Sequence, residues 1–308
     1  MKSFNKIWIP SAGKLCKFAE ITHHQEKIIL KSLSQGSGAY SSFLYALGVI
    51  MTENSMEDLK FTTVDRLFYG IYTRAYCFGN DLEYQVKCPS CNRTVKYSLN
   101  LNDVVTALEF ISRKFTKSLV LPTAGIEVSL SMPDISRDIG FREYIEAEKE
   151  DYVLLAAMEN SLFIEYCKIG HNILPFYTYK PSQSLDVLDM LDHVDYRLLM
   201  DSIEEFKKNA YNNGNESKLL ELNCICSQNL INYDLSPASF DNFLAMIYNG
   251  NLNDFYSKEL NYRLMFPGAD VNDLAPIERD LLINLKNSIN QQAEMEDSKD
   301  GEMDLAAL

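Results

Sequence analysis

The sequence has no apolar run near the roughly 18 residues that a membrane-spanning helix requires. Its opening stretch, MKSFNKIWIPSAGK, also lacks the apolar core of a secretory signal. We therefore expect a protein of the cytoplasm. Positive charge is scarce: 29 Lys and Arg against 43 Asp and Glu give a net charge of −14. No basic stripe interrupts that excess, so a phosphate backbone would be repelled and nucleic acid is not an expected partner. The acidity fits a partner with a basic face, and it fits plain solubility equally well. Catalytic motifs are missing too. There is no Walker loop, no Gly-x-Ser-x-Gly elbow and no His-Glu-x-x-His helix. Gly36 and Gly38 in QGSGAYSS lack a third glycine and a preceding strand, so they read as a turn. The four histidines, His23, His24, His171 and His193, are scattered. A Cys167–His171 nucleophile pair has no third group to orient it. No enzyme is expected.

What is present describes a folded chain. Its 308 residues, 46% hydrophobic and 23% charged, suffice for two domains or one large one with insertions. A reducing compartment and an odd count of seven cysteines favour thiols or metal ligands over a disulfide framework. The first segment, IWIPSAGKLCKFAEIT, alternates in polarity and turns at Pro10 and Gly13, which predicts a hairpin. Helical patterns follow at 24–34 and from Phe43 to Met51. Thr62 stands three residues before Asp65, a capping-box spacing, and Leu67, Phe68, Ile71, Ala75 and Tyr76 form an apolar face ending near Gly79.

A helix is expected at 102–115, and LVLPTAGIEVSLSMPD predicts a second hairpin turning at Pro122 and Gly125. It repeats the order apolar-Pro-small-Ala-Gly of the first, so an internal duplication and chance similarity both stand. The middle reads as helical: 140–168 running to a stop at Gly170, then 184–209 with Leu185, Leu188, Leu191, Val194, Leu198 and Phe206 on one face. Asp186, Asp189, Asp192 and Asp195 recur every third residue, which we read as a solvated acidic face rather than a cation site. Helices follow near 237–248, 252–264 and 276–293, the last opening at Pro276. The division expected is 1–137, with an N-terminal hairpin and helix region, 138–215, a helical insert, 216–293, and 294–308, an acidic mobile tail.

Two segments carry cysteine pairs: LEYQVKCPSCNRTVKYSLNLNDV with Cys88 and Cys91, and LLELNCICSQNLINYDLSPAS with Cys224 and Cys226. Each has an incoming strand, a pair, a polar turn and an outgoing strand. Two such knuckles facing one another make a zinc ribbon, in which four thiolates surround one structural zinc. A two-stranded hairpin is marginal in water alone, so a metal has something to stabilise. The roughly 130 residues separating Cys91 from Cys224 are no obstacle, because closure cost grows only logarithmically. The second pair is one residue closer than usual. Cysteines simply buried at a hairpin tip remain the alternative, and Cys16, Cys77 and Cys167 sit in core patterns. The fold class expected is α+β, predominantly helical, with split zinc-ribbon-like knuckles, short hairpins and a helical insert.

The order IPSAGK, DRLFYGIYTRAYCFGNDLEYQVKCPSCN, LPTAGIEVSL, a second knuckle leading to DLSPASF, and then LNDFYSKELNYRLMF resembles the baseplate hub and hub-assembly proteins of T-even-like contractile-tailed phages. Asp65, Arg66, Phe78, Gly79, Tyr84, Cys88, Pro89 and Cys91 occupy the positions of that family's helix-to-knuckle segment. The resemblance implies a non-catalytic role, either a hub subunit or a chaperone for hub and tape-measure proteins. It would act through other tail proteins, in the host cytoplasm during assembly or in the tail baseplate. A zinc-ribbon regulatory or nucleic-acid-binding module is the alternative, with Lys87, Arg93 and Lys96 as its only local cations.

Overall fold

The computed structural model describes residues 4–34, 39–109, 116–147, 152–176, 188–211, 218–234, 237–248 and 252–305. Strands β1 (Phe4–Ile9) and β2 (Lys14–Ala19) form the first hairpin, followed by helices α1 (His23–Leu33), α2 (Ala39–Asn54) and α3 (Thr63–Phe78). Strands β3 (Asp81–Lys87) and β4 (Thr94–Asn100) lead into α4 (Leu101–Glu109). Then come β5 (Thr116–Leu121), β6 (Ile126–Ser131), α5 (Ile135–Ala147), α6 (Tyr152–Ser161), β7 (Ile164–Ile169) and β8 (Asn172–Pro175). Helix α7 (His193–Tyr211) precedes β9 (Lys218–Asn223) and β10 (Asn229–Asp234), and the remainder is α8 (Pro237–Ile247), α9 (Leu252–Met265) and α10 (Pro276–Leu305). The class is α+β: among the described residues one four-stranded antiparallel sheet in the order β5-β6-β7-β8 and three two-stranded hairpins are set among helices.

Helix α3 is the axis of the core. Val64, Leu67, Phe68, Tyr69, Ile71, Tyr72 and Ala75 are all buried, as are Asp65, Arg66 and Thr73 on the other side, and it packs on β1, α2, α4, α5, α8 and α10. Its start is the capping box expected. The Thr62 hydroxyl accepts from the Asp65 amide, and the Asp65 carboxylate accepts from the Thr62 amide at 2.7 Å. Gly70 lets α8 approach: a Cβ there would lie 2.9 Å from Leu244 Cδ2, and the Gly70 carbonyl accepts from the Tyr248 hydroxyl at 2.8 Å. A second, smaller cluster of Tyr262, Val271 and Ile283 joins α9 to α10. This C-terminal pair is tied to α1 by buried Arg279, which donates to the Glu26 carboxylate at 2.8 Å and meets His23 Nδ1 at 2.7 Å.

The helical insert needs correction. Helix does not run from 140 to 168: residues 164–175 are strands β7 and β8, with Gly170 at φ +60 making their turn instead of stopping a helix. A short apolar run suits a buried strand as well as a helix, and pairing with β6 decides. Helix α7 begins at His193, nine residues later than expected. Asp192 caps it, accepting from the Asp195 amide at 2.8 Å. The inward face is accordingly Leu199, Ile203 and Phe206, with Val194 60% and Leu198 39% exposed. The acidic stripe is a solvated face only in part: Asp189 and Asp192 are exposed, whereas Asp195 is fully buried. Asp186 and Leu185 lie outside the described residues. Residues 294–305, expected as a mobile tail, continue α10 as helix.

The two halves of the chain repeat one plan. Gly13 and Gly125 sit at φ +61 and +64 in matching turns of equal strand length, and each donates its amide to the carbonyl that precedes the turn proline, Ile9 or Leu121, at 2.9 Å. Asp65, the third residue of α3, accepts from the Ser11 amide and hydroxyl at 2.9 and 2.6 Å. Asp195, the third residue of α7, accepts from the Thr123 and Ala124 amides at 3.2 and 2.7 Å. Each of these helices then leads to a cysteine hairpin and a further helix.

Candidate metal centre

The knuckles are built by backbone hydrogen bonds. In the first, the Cys88 amide donates to the Arg93 carbonyl at 2.8 Å, closing the β3–β4 tip, and Asn92 adopts φ +57. In the second, the Cys224 amide donates to the Gln228 carbonyl at 2.8 Å and Ser227 adopts φ +63. The second loop is thus the first with one residue removed ahead of the left-handed position. That position falls to Asn and Ser, residues whose short polar side chains fit tight turns. The strands below carry the inward residues Leu82, Tyr84 and Val86 paired with Leu99, Tyr97 and Val95, and Leu220 paired with Tyr233. Tyr84 stacks on Tyr97 at 5.3 Å and donates to the Met246 carbonyl at 3.2 Å, anchoring the first hairpin on α8.

The four predicted cysteines meet. Their sulfurs all lie within 4.8 Å of one another, with Cys88 and Cys226 at 3.6 Å and Cys91 and Cys224 at 3.5 Å. A disulfide needs about 2.05 Å. Four sulfurs at about 2.3 Å from a tetrahedral ion are separated by about 3.8 Å, so the spacing suits a shared metal. Cys88 and Cys224 are buried, while Cys91 and Cys226 reach the surface. Ser90 donates to the Gln228 side chain at 3.0 Å, a direct bond from one knuckle tip to the other.

The thiols are already polarised. The Cys91 and Ser90 amides point at Cys88 and bring it down to about 7, so it ionises near neutrality. The Gln228 amide favours the Cys226 thiolate, but the neighbouring sulfurs of Cys88 and Cys224 outweigh it and push Cys226 up to about 11. Four thiolates so close repel unless a cation neutralises them. With all four positions taken by sulfur, a bound ion keeps no site for water, so the centre can crosslink but has no position from which to activate a substrate.

A sequence model of the family described as "T4 bacteriophage base plate protein" matches residues 1–222. The chain belongs to this base plate family. The matched region contains Cys88 and Cys91 and ends just before Cys224. No curated protein and no solved structure gives a significant match. Among the described residues no helix is long and apolar enough to cross a membrane.

The other candidates separate in this base plate protein. Cys16 and Cys167 are buried in the core, and the Cys77 side chain lies outside the described residues. Burial pushes the Cys167 thiol up to about 12, the opposite of an activated nucleophile, and His171 is exposed in the β7–β8 turn. His193 opens α7 and is exposed. His23 is the exception. It is fully buried, stacked on Phe255 at 4.5 Å, in a network with Glu26 and Arg279 that sequence reasoning missed because Arg279 lies more than 250 positions from the other two.

Proposed function

We propose that the protein is a non-enzymatic component of tail morphogenesis, a baseplate hub subunit or a factor that assists assembly of the hub and tape-measure proteins. One structural zinc held by Cys88, Cys91, Cys224 and Cys226 would fasten its two halves. The observation that carries the reading is the base plate family match over residues 1–222. The closed sulfur centre supports it, because a metal without an open position supplies rigidity, and a binding surface for other subunits needs rigidity more than chemistry. The net charge of −14 favours protein partners over nucleic acid.

The experiment is recovery of the tagged protein from infected cells, together with mass spectrometry of purified particles. Enrichment of tail components, with the protein in or absent from the finished particle, separates hub subunit from transient factor. Recovery with no tail component under conditions that preserve assembly intermediates would overturn the reading. A tight, salt-sensitive gel shift would move it to the zinc-ribbon nucleic-acid alternative.

A further inference from the structure

The repeated plan makes the two halves comparable position by position, and one place differs. In the first half, Phe18 on β2, Phe61 ahead of α3 and Tyr69 on α3 form one packed group, with ring centroids 5.6 Å and 5.1 Å from Phe18. All three are buried. Counting from the turn prolines and the clamping aspartates, the corresponding residues of the second half are Leu130, Leu191 and Leu199. Three rings in one half answer to three aliphatic side chains in the other.

Two of these aliphatic positions border a cavity. Between the β5–β8 sheet and the start of α7 lies an apolar cavity of about 160 Å³, whose lining includes Leu121, Val128, Ile164, Leu191, Leu199 and the fully buried ring of Phe176. Two of the three aliphatic replacements are therefore cavity walls. An apolar cavity of about 150 Å³ stays dry and takes up benzene. At the mouth stand two of its own lining residues, Met190 at 74% and Ile169 at 45% exposure. Methionine at a rim adapts to the shape of what enters.

We infer that this cavity is a receptor for a phenyl-sized side chain of a neighbouring tail subunit, which supplies in trans the ring that the first half supplies from its own sequence. The aromatic class of the occupant follows from what fills the equivalent position, and the absence of charge from the walls excludes a polar ligand. That the ring arrives on a tail subunit rests on the tail-assembly reading above.

Benzene is the probe for the cavity itself. At tenfold over its Kd it should raise the Tm of the wild-type protein by about 2 °C. Leu191→Phe, which restores the first half's residue, should abolish that shift without lowering the Tm, and Leu199→Phe serves as the second filled variant. In complemented infections, Leu191→Phe should enter tail intermediates at least about fivefold less than wild type. No benzene shift in the wild type, a shift that persists in both filled variants, or wild-type levels of incorporation for Leu191→Phe would each overturn the inference. Failure of the wild-type protein itself to associate with tail components would instead count against the tail-assembly reading.

Discussion

Removing the metal that we propose the four cysteines hold is the perturbation with the most to say, because the cluster joins segments that are otherwise remote in sequence. An ion held by both knuckles closes a loop of about 130 residues, which by chain entropy confines the unfolded state by about 5 kcal/mol. For a 308-residue protein the unfolding entropy is about 0.65 kcal/mol per degree, so the expected loss is about 8 °C in Tm. This is an upper figure, since a single knuckle retains some metal affinity when unfolded. The assay is calorimetry with and without a strong chelator, paired with elemental analysis of the purified protein. Cys91→Ser and Cys224→Ser should each lose the metal and melt like the chelated wild type. Ile225→Ala, at a side chain 85% exposed between Cys224 and Cys226, should change neither metal content nor Tm. Metal-free protein whose melting is indifferent to chelator and to both serine variants would refute the argument.

Three further outcomes follow from the packing. Asp195→Ala strands the Thr123 and Ala124 amides and should cost about 2–3 kcal/mol in urea unfolding, with Asp65→Ala comparable because it plays the same part in the first half. Burial opposes ionisation of Asp138, but Arg66 and Arg142 beside it win and hold its carboxyl down to about 2. A depressed carboxyl contributes stability above its unfolded value near 3.9 and loses it as pH falls toward 2. Asp138→Asn should therefore flatten the urea-midpoint profile in that window by about 2 kcal/mol. Gly70→Ala should destabilise by about 1–3 kcal/mol although alanine favours helix, since the new Cβ meets Leu244 at 2.9 Å and Leu47 at 3.0 Å. Gly140→Ala in α5, with nothing within 4 Å, should instead gain about 0.5–1 kcal/mol in the same assay.

Features governed by local chemistry were legible in the sequence. The turns at Gly13 and Gly125, the Thr62–Asp65 capping box and the Pro276 helix start each depend on residues within one turn of chain, and each stands where its pattern placed it. The strands β7 and β8 were not legible, because FIEYCKIGHNILP is a short apolar run whose state is chosen by the β6 edge beside it. The aspartate periodicity misled for a related reason. Asp192 is a cap, a local role that the three-residue period hid, and Asp195 is a clamp for a turn more than 70 residues earlier, a role that leaves no local mark. At the four-cysteine cluster the cysteine pairs named the participants, but only the fold brings their sulfurs within 4.8 Å. The cavity was invisible until the halves could be aligned through the two clamped turns.

The shorter second knuckle bears on what the repeat is for. Deleting one residue from a loop between two strands normally shifts the register of everything beyond it. Here the left-handed residue moves with the deletion, from four places after Cys88 to three places after Cys224, and the closing amide-to-carbonyl bond keeps its 2.8 Å length. The irregularity in β10 pairing between Asn229 and Ile231 takes up what remains of the mismatch. Leu222, Ile231, Leu220 and Tyr233 consequently still pair across the ladder as the residues of the first hairpin do. Among the described residues neither hairpin has a third strand to stabilise it, so each depends on its anchor to α8 and on the other's sulfurs. A site assembled from one pair per half couples the order of the two halves. That makes the centre the place where loosening one half would be felt first in the other.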